Sequence, residues 1–225
     1  MLLKVENLYR EYERNNKVKF NAVDNISFSL EKGTITGITG PSGSGKSTLF
    51  HLLTGLVKPT SGNIILDNRN ISILSQNELS EIRNNEIGYI MQGSNLIPNL
   101  TIIENICLPR AFSSYNKDVF EKGKIILKQF GLEGMENEFP SSLSGGEQKR
   151  VCIARTFAQS PAFVIADEPT SNLDEENTVI IMEFFRKMCS EGVTILFSTH
   201  EKELLRYADD TLEICKGKLK AKSCN

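Results

Sequence analysis

No stretch of this 225-residue chain approaches the roughly 20 consecutive apolar residues that crossing a bilayer requires. The most apolar segments, Ala162–Ala166 and Val193–Phe197, have the length of buried strands, so any role at a membrane is expected to run through a partner. The opening residues Met1-Leu2-Leu3-Lys4-Val5-Glu6 lack the charged-then-apolar layout of a secretion signal, and a cytoplasmic location is the expectation. An excess of basic charge is missing as well. Lys and Arg number 26 against 28 Asp and Glu, a formal net charge of −2, which argues against a nucleic-acid binder working through a basic face. The five cysteines (Cys107, Cys152, Cys189, Cys215, Cys224) are scattered and never form a C-x-x-C pair. They fit a reducing compartment, with packing as their expected job. Internal repeats and low-complexity tracts are absent too.

What remains is an ordinary globular composition, 40% apolar and 24% charged, long enough for one large α/β domain or two small ones. Short apolar runs alternate with amphipathic stretches, the pattern of layered strands and helices. Strands are expected at Leu2–Val5, Ile26–Leu30, Ile35–Thr39, Ile64–Leu66 and Ile87–Met91, and again at Phe163–Ala166, Val193–Ser198, Thr211–Ile214 and Gly217–Lys220. Helical spacing marks Ser47–Leu56, Val119–Phe130, Glu147–Ala158 and Glu175–Cys189. Between about Gly93 and Ser160 the segments turn helical, punctuated by Pro98, Pro109 and Pro140, which reads as a helical subdomain inserted into an α/β core.

The strand Ile35–Thr39 runs into Gly40-Pro41-Ser42-Gly43-Ser44-Gly45-Lys46-Ser47-Thr48 and then into a helix. This matches G-x-x-x-x-G-K-[ST] at every fixed position. The glycines let successive backbone N–H groups turn inward on a phosphate without Cβ clashes. The helix start adds its unsatisfied N–H groups and its dipole. Lys46 is then placed for the β- and γ-phosphates, and the Ser47 hydroxyl for Mg²⁺.

A second acidic feature closes an apolar run, Phe163-Val164-Ile165-Ala166-Asp167-Glu168. At a strand end, Asp167 can help hold Mg²⁺ through its water shell, and Glu168 can take a proton from an attacking water. His200 follows Ser198-Thr199 after another apolar strand, where an imidazole suits a γ-phosphate or the catalytic water. The other histidine, His51, lies in the helix after the glycine loop and reads as packing.

Many ATPases share a glycine loop and an acidic strand end. The hexapeptide Leu143-Ser144-Gly145-Gly146-Glu147-Gln148 narrows the choice, because it resembles the LSGGQ signature of ABC (ATP-binding cassette) ATPases. It lies about a hundred residues after the phosphate loop and about twenty before the acidic strand end, the order and spacing of that family. The resemblance covers nearly the whole chain. It implies a P-loop NTPase (RecA-like) α/β core with an antiparallel β subdomain and an inserted helical subdomain. Residues 1–92 and 160–225 would form the core and 93–159 the insertion. Tyr12 resembles the aromatic that stacks on adenine, with Tyr9 close enough to compete. Gln92 matches the glutamine that contacts Mg²⁺ and opens the loop facing the transporter, Gly93–Thr101, with Leu96 and Leu100 as candidate contacts. Ser171-Asn172-Leu173-Asp174 resembles the loop that crosses the dimer interface, and His200 the switch histidine.

The family implies a head-to-tail homodimer around ATP. The phosphate loop of one protomer and Ser144–Gly146 of the other would share each nucleotide. Leu96-Ile97-Pro98-Asn99-Leu100-Thr101 and Glu104-Asn105-Ile106 look like the branch of lipoprotein-release, macrolide-efflux, peptide-resistance and cell-division ATPases. That branch works with FtsX-like permeases, which would hold this chain on the inner face of the cell membrane. Gly93, where an aromatic is common, and Lys149, where glutamine is frequent, depart from the pattern. The rival reading is a soluble ABC ATPase in repair or translation. The roughly fifty residues between Gln92 and Leu143 contain no heptad run, which weighs against it.

Overall fold

The apolar runs of the sequence sort into two sheets in the computed structural model, which describes residues 1–13, 18–111 and 117–220. Strands β1 (Leu3–Glu13), β2 (Lys19–Leu30), β4 (Ser61–Leu66) and β5 (Arg69–Asn70) form an antiparallel sheet in the order β2-β1-β4-β5. The second sheet comprises β3 (Ile35–Thr39), β6 (Ile87–Ile90), β7 (Phe163–Ala166), β8 (Thr194–Ser198), β9 (Asp210–Cys215) and β10 (Lys218–Leu219). Its order is β10-β9-β3-β8-β7-β6, parallel throughout except for the β10 hairpin at one edge.

Parallel strands covered on both faces should be apolar at successive positions, with alternate residues serving opposite layers. That is what β7 and β8 do. Val164, Ala166, Ile195 and Phe197 pack into one core; Phe163, Ile165 and Leu196 pack into the other. The first core is shared with the helices α3 (Ile102–Ala111), α4 (Lys117–Gln129), α5 (Gly145–Phe157) and α6 (Glu175–Ser190). The second is shared with α1 (Lys46–Leu53), α2 (Gln76–Asn85) and the antiparallel sheet, through residues such as Leu3, Leu8, Ile26, Leu49 and Phe50. Val151, Ala154, Phe157 and Ala158 are all buried, as the spacing of α5 predicts. The fold is therefore mixed α/β, with one parallel and one antiparallel sheet, as expected.

Four elements differ from the expectations of the sequence. The first two strands run well past their apolar ends, pairing from Leu3↔Leu30 to Glu13↔Lys19. Their distal halves are polar and held by the ladder and by pairs such as Lys19–Glu11 at 2.7 Å, so hydropathy does not mark them. Helix α2 carries little hydropathy signal, since it buries only Leu79 and Ile82. Its start is nonetheless written as Ser75-x-x-Glu78, a reciprocal capping box. Pro109 does not interrupt helix α3 but sits inside it, near the last turn. Cys152 and Cys189 are buried and Cys107 and Cys215 half-buried, all free thiols; Cys224 lies outside the described residues.

Candidate active site

Strand register builds the site. Ile38 pairs with Ser198, Ala166 with Phe197, and Ile90 with Ala166. The carboxyl ends of four neighbouring strands therefore align. The residues that follow them, Gly40, Thr199-His200, Asp167-Glu168 and Met91-Gln92, are delivered to one edge of the sheet. That edge is where open parallel α/β sheets place ligands.

Gly40, Gly43 and Gly45 adopt φ of 153°, 73° and 110°. A Cβ at Gly40 would come within 2.2 Å of the Ile214 carbonyl oxygen, and one at Gly45 within 2.2 Å of that of Ala22. Only glycine allows this loop to fold so tightly against its neighbours. Gly45 caps α1 with no side-chain hydrogen bond, leaving the N–H groups of the first turn available to an anion. The buried Ser44 hydroxyl likewise has no partner. Lys46 lies across the loop, its Nζ donating to the Gly40 carbonyl at 2.8 Å and the Pro41 carbonyl at 3.3 Å. Burial lowers its pKa, against the pull of Glu168 and then Asp167. Ser42 and Ser47 are exposed, and Thr48 is half-buried on α1.

Asp167 is buried, and its Oδ1 accepts from the Ser198 hydroxyl at 2.7 Å. The same hydroxyl oxygen accepts from the Glu168 backbone N–H at 2.8 Å, so Ser198 orients both acids. Glu168 has a φ of 48°, a left-handed conformation that turns its side chain away from that of Asp167. Its Oε2 accepts from Gln92 Nε2 at 2.7 Å, and its Oε1 lies 2.5 Å from His200 Nε2. Lys46, Gln92, Asp167, Glu168 and His200, distant in sequence, thus form one constellation.

Beside it, Tyr12, Phe20, Asn21, Ala22, Gly43, Gly45, Thr48, Lys216 and Gly217 line a cavity of about 310 Å³. Tyr12 is part of this wall and Tyr9 is not; Tyr9 pairs with Ser61 further along the sheet. The Arg10 guanidinium covers Tyr12 at 4.5 Å from the ring centroid, and Phe20 stands 6.0 Å away, centroid to centroid. Sequence reasoning missed Phe20 and the Lys216-Gly217 turn. The Gly217 N–H donates to the Ser44 carbonyl at 2.8 Å, bracing the loop from the far end of the chain. The strand Ile26–Leu30, had it been extended by its pairing partner, would have pointed to Phe20; nothing local signals Lys216.

Ser144, Gly145 and Gly146 stand apart, opening α5. The Ser144 side chain and backbone N–H meet the Glu147 carboxylate at 2.7 Å each, a capping box. The Ser144 hydroxyl, then its backbone N–H, lower the Glu147 pKa. A Cβ on Gly145 would meet nothing, so its surface is open. Asp174 caps α6, accepting from the Asn177 N–H at 2.8 Å. His51 packs edge-on against Tyr89 at 6.0 Å.

This arrangement suits a nucleoside triphosphate. The glycine cradle, the uncapped helix start, the orphaned Ser44 hydroxyl and a buried ammonium all await an anion. Among the described residues, no three His, Cys, Asp or Glu gather into a metal cage. Mg²⁺ would therefore draw its remaining ligands from phosphate and water, as it does in phosphate sites generally. Fold and site together define a P-loop nucleoside triphosphatase.

The family described as ABC transporter matches residues 23–171. A lipoprotein-releasing system ATP-binding protein, LolD, of Buchnera aphidicola subsp. Acyrthosiphon pisum is 42% identical over 208 residues, covering 92% of this chain and 91% of its own. The LolD protein of Aquifex aeolicus is 40% identical over 201 residues, covering 89% and 90%. The dimeric structure of MJ0796, a bacterial ABC transporter cassette, superimposes with a TM-score of 0.90 at 34% identity, over 98% of this chain and 97% of that one. A post-hydrolysis dimer of the same cassette, bound to ADP and Pi, gives 0.89 over the same coverage. The chain belongs to the ABC transporter family, as its ATP-binding, ATP-hydrolysing cassette. No helix among the described residues is long and apolar enough to cross a membrane.

Proposed function

We propose that this chain energises a separate membrane-embedded permease by dimerising head to tail around two ATP and hydrolysing them. The observation that carries the reading is the single constellation of Lys46, Gln92, Asp167, Glu168 and His200 at the sheet edge. In it, Lys46 exchanges the Gly40 carbonyl for the β/γ-phosphates, with Gly40, Ser42, Gly43, Ser44, Gly45 and Thr48 closing around them. Ser47 and Gln92 would hold Mg²⁺, with Asp167 reaching it through water, and the ion would neutralise charge on the phosphate oxygens. Glu168 accepts the proton of the attacking water, and His200 steadies the γ-phosphate side. Tyr12 stacks on adenine. Ser144, Gly145 and Gly146 of the opposite protomer complete each site.

The 40–42% identity to lipoprotein-releasing cassettes supports a cargo of lipid-modified protein, and the resemblance at Leu96–Thr101 and Glu104–Ile106 supports an FtsX-like permease. That partner would hold the chain at the cytoplasmic face of the membrane. Purifying the tagged chain from solubilised membranes tests this. The expected companion is an integral-membrane protein whose presence accelerates ATP turnover. Recovery of the whole pool from the soluble fraction, with no such companion, would overturn the transport reading.

A further inference from the structure

Lys149 has no role in the reading above, yet it is the most deeply buried Lys or Arg among the described residues, only 3% exposed. Its Nζ donates to the carbonyl of Met91 at 3.1 Å and to the carbonyl of Gly93 at 3.1 Å. These carbonyls belong to the two residues on either side of Gln92. Burial lowers its pKa, while Cys152, Asp167 and Glu168 pull the other way. A buried ammonium that leaves its hydrogen bonds unmade is costly, so the two carbonyls and the lysine hold one another in place.

The clasp is part of a longer seam. Ser94 Oγ lies 3.0 Å from Gln148 Oε1, and Arg155 donates to the Asn95 carbonyl at 3.1 Å and to its side chain. Loop residues 91–95 are therefore fastened along one face of α5. The same helix presents Ser144 at its first turn, and Gln92 reaches Glu168 at 2.7 Å from the fastened loop.

We propose that Lys149 is a positioning residue for Gln92. Its two hydrogen bonds make α5 and the Gln92 loop one moving body, so that engagement of Ser144–Gly146 by the opposite protomer's nucleotide sets where Gln92 sits against Glu168. The proposal rests on the shared-site dimer reading. Nothing in it requires Lys149 to touch nucleotide.

The test compares Lys149→Met with Lys149→Arg, which keeps a cation and several donors. With the purified full chain and Mg-ATP, Lys149→Met is expected to leave KM within about twofold and to lower kcat about ten- to a hundredfold, the range for a misplaced catalytic group. Gln92→Ala should lower kcat similarly, and the double variant should be no worse than either single one, because both remove the same positioned side chain. Lys149→Arg should recover most of the loss. A readout without turnover uses the Glu168→Gln background. There, amide hydrogen exchange across residues 92–95 should slow when ATP drives dimerisation, and Lys149→Met should abolish that slowing while dimer mass persists. Additive losses in the double variant, or slowing that survives Lys149→Met, would overturn the proposal. If Lys149→Met fails to fold, Lys149→Leu, which likewise removes every donor, replaces it in the same cycle, and the same two results would overturn the proposal. If Glu168→Gln itself stays monomeric in ATP, the shared-site dimer fails, a result distinct from either.

Discussion

Replacing Glu168 with glutamine separates chemistry from binding. The carboxylate accepts from Gln92 and faces His200, and its backbone N–H is held by Ser198. A glutamine amide keeps one acceptor and the same shape, so at most one of the two side-chain contacts is lost. A hydrogen bond to a charged group contributes about 1.5–3 kcal/mol and a neutral one about 0.5–1.5. Because His200 is substantially exposed, the loss should fall at the low end, about 1 kcal/mol or less. The fold should survive. Binding through the glycine loop, Lys46 and Asp167 should survive as well, since none of them bonds to the Glu168 side chain. Catalysis should not, because an amide cannot accept the proton, and a general base contributes roughly 10²–10⁴-fold. With hydrolysis blocked, each ATP at 100 times its dissociation constant contributes about 2.7 kcal/mol to whichever state binds it. Two shared sites give about twice that, close to four decades in the dimerisation constant. Size-exclusion with light scattering should show the wild type monomeric with Mg-ATP and the variant at twice the mass, and Ser144→Arg should cancel the shift. A Glu168→Gln protein that turns over ATP at the wild-type rate would refute the base assignment. An inactive variant that stays monomeric in saturating ATP would refute the shared site.

Tyr12→Ala should raise the Kd for ATP about tenfold, by removing an aromatic stack of roughly 1–1.5 kcal/mol, whereas Tyr9→Ala should change it less than twofold; titration with a fluorescent ATP analogue decides between them. Leu96 packs against the core of the helical layer, while Ile97 is 40% exposed. Leu96→Asp should therefore lower the melting temperature, and Ile97→Asp should leave melting and basal hydrolysis intact but cut stimulation by the permease; equal melting points would contradict this. Ser144→Ala removes a cap of about 1 kcal/mol and should lower the melting temperature about 2–4 °C near pH 6. Because Ser144 holds Glu147 below its usual pKa, that contribution is present above about pH 4.5 and is lost as the pH falls through the folded-state value. The difference between the two proteins should shrink toward pH 3, and a constant offset down to that pH would refute the capping account.

The parallel-sheet strands were legible because residues covered on both faces must be apolar in sequence, as Phe163–Ala166 and Ile195-Leu196-Phe197 are. The glycine loop was legible for a different reason: positive φ at Gly43 and Gly45 and the close approach of the Ala22 and Ile214 carbonyls leave no other residue type open. Polar strand halves and the thinly buried α2 were not, since a ladder or a capping box holds them without a hydrophobic signal. The Leu96 contact was not legible either, because one apolar residue in a loop reads alike whether it faces a partner or the core.

Local chemistry thus determined the kind of protein by itself: which residues could cradle a triphosphate, which could take a proton, and in what order they follow one another. Only the tertiary structure decided how they meet. Parallel register carries Gln92 and Glu168, more than seventy residues apart in the chain, to one edge together with His200, and the fold places Tyr12 rather than Tyr9 in the wall of the cavity beside the glycine loop. It also turned Lys149, one surface-type cation among 26 basic residues, into a buried clasp on both sides of Gln92. Such pairings depend on contacts across the chain, and an ammonium becomes structural only when folding strips its water and offers carbonyls in return.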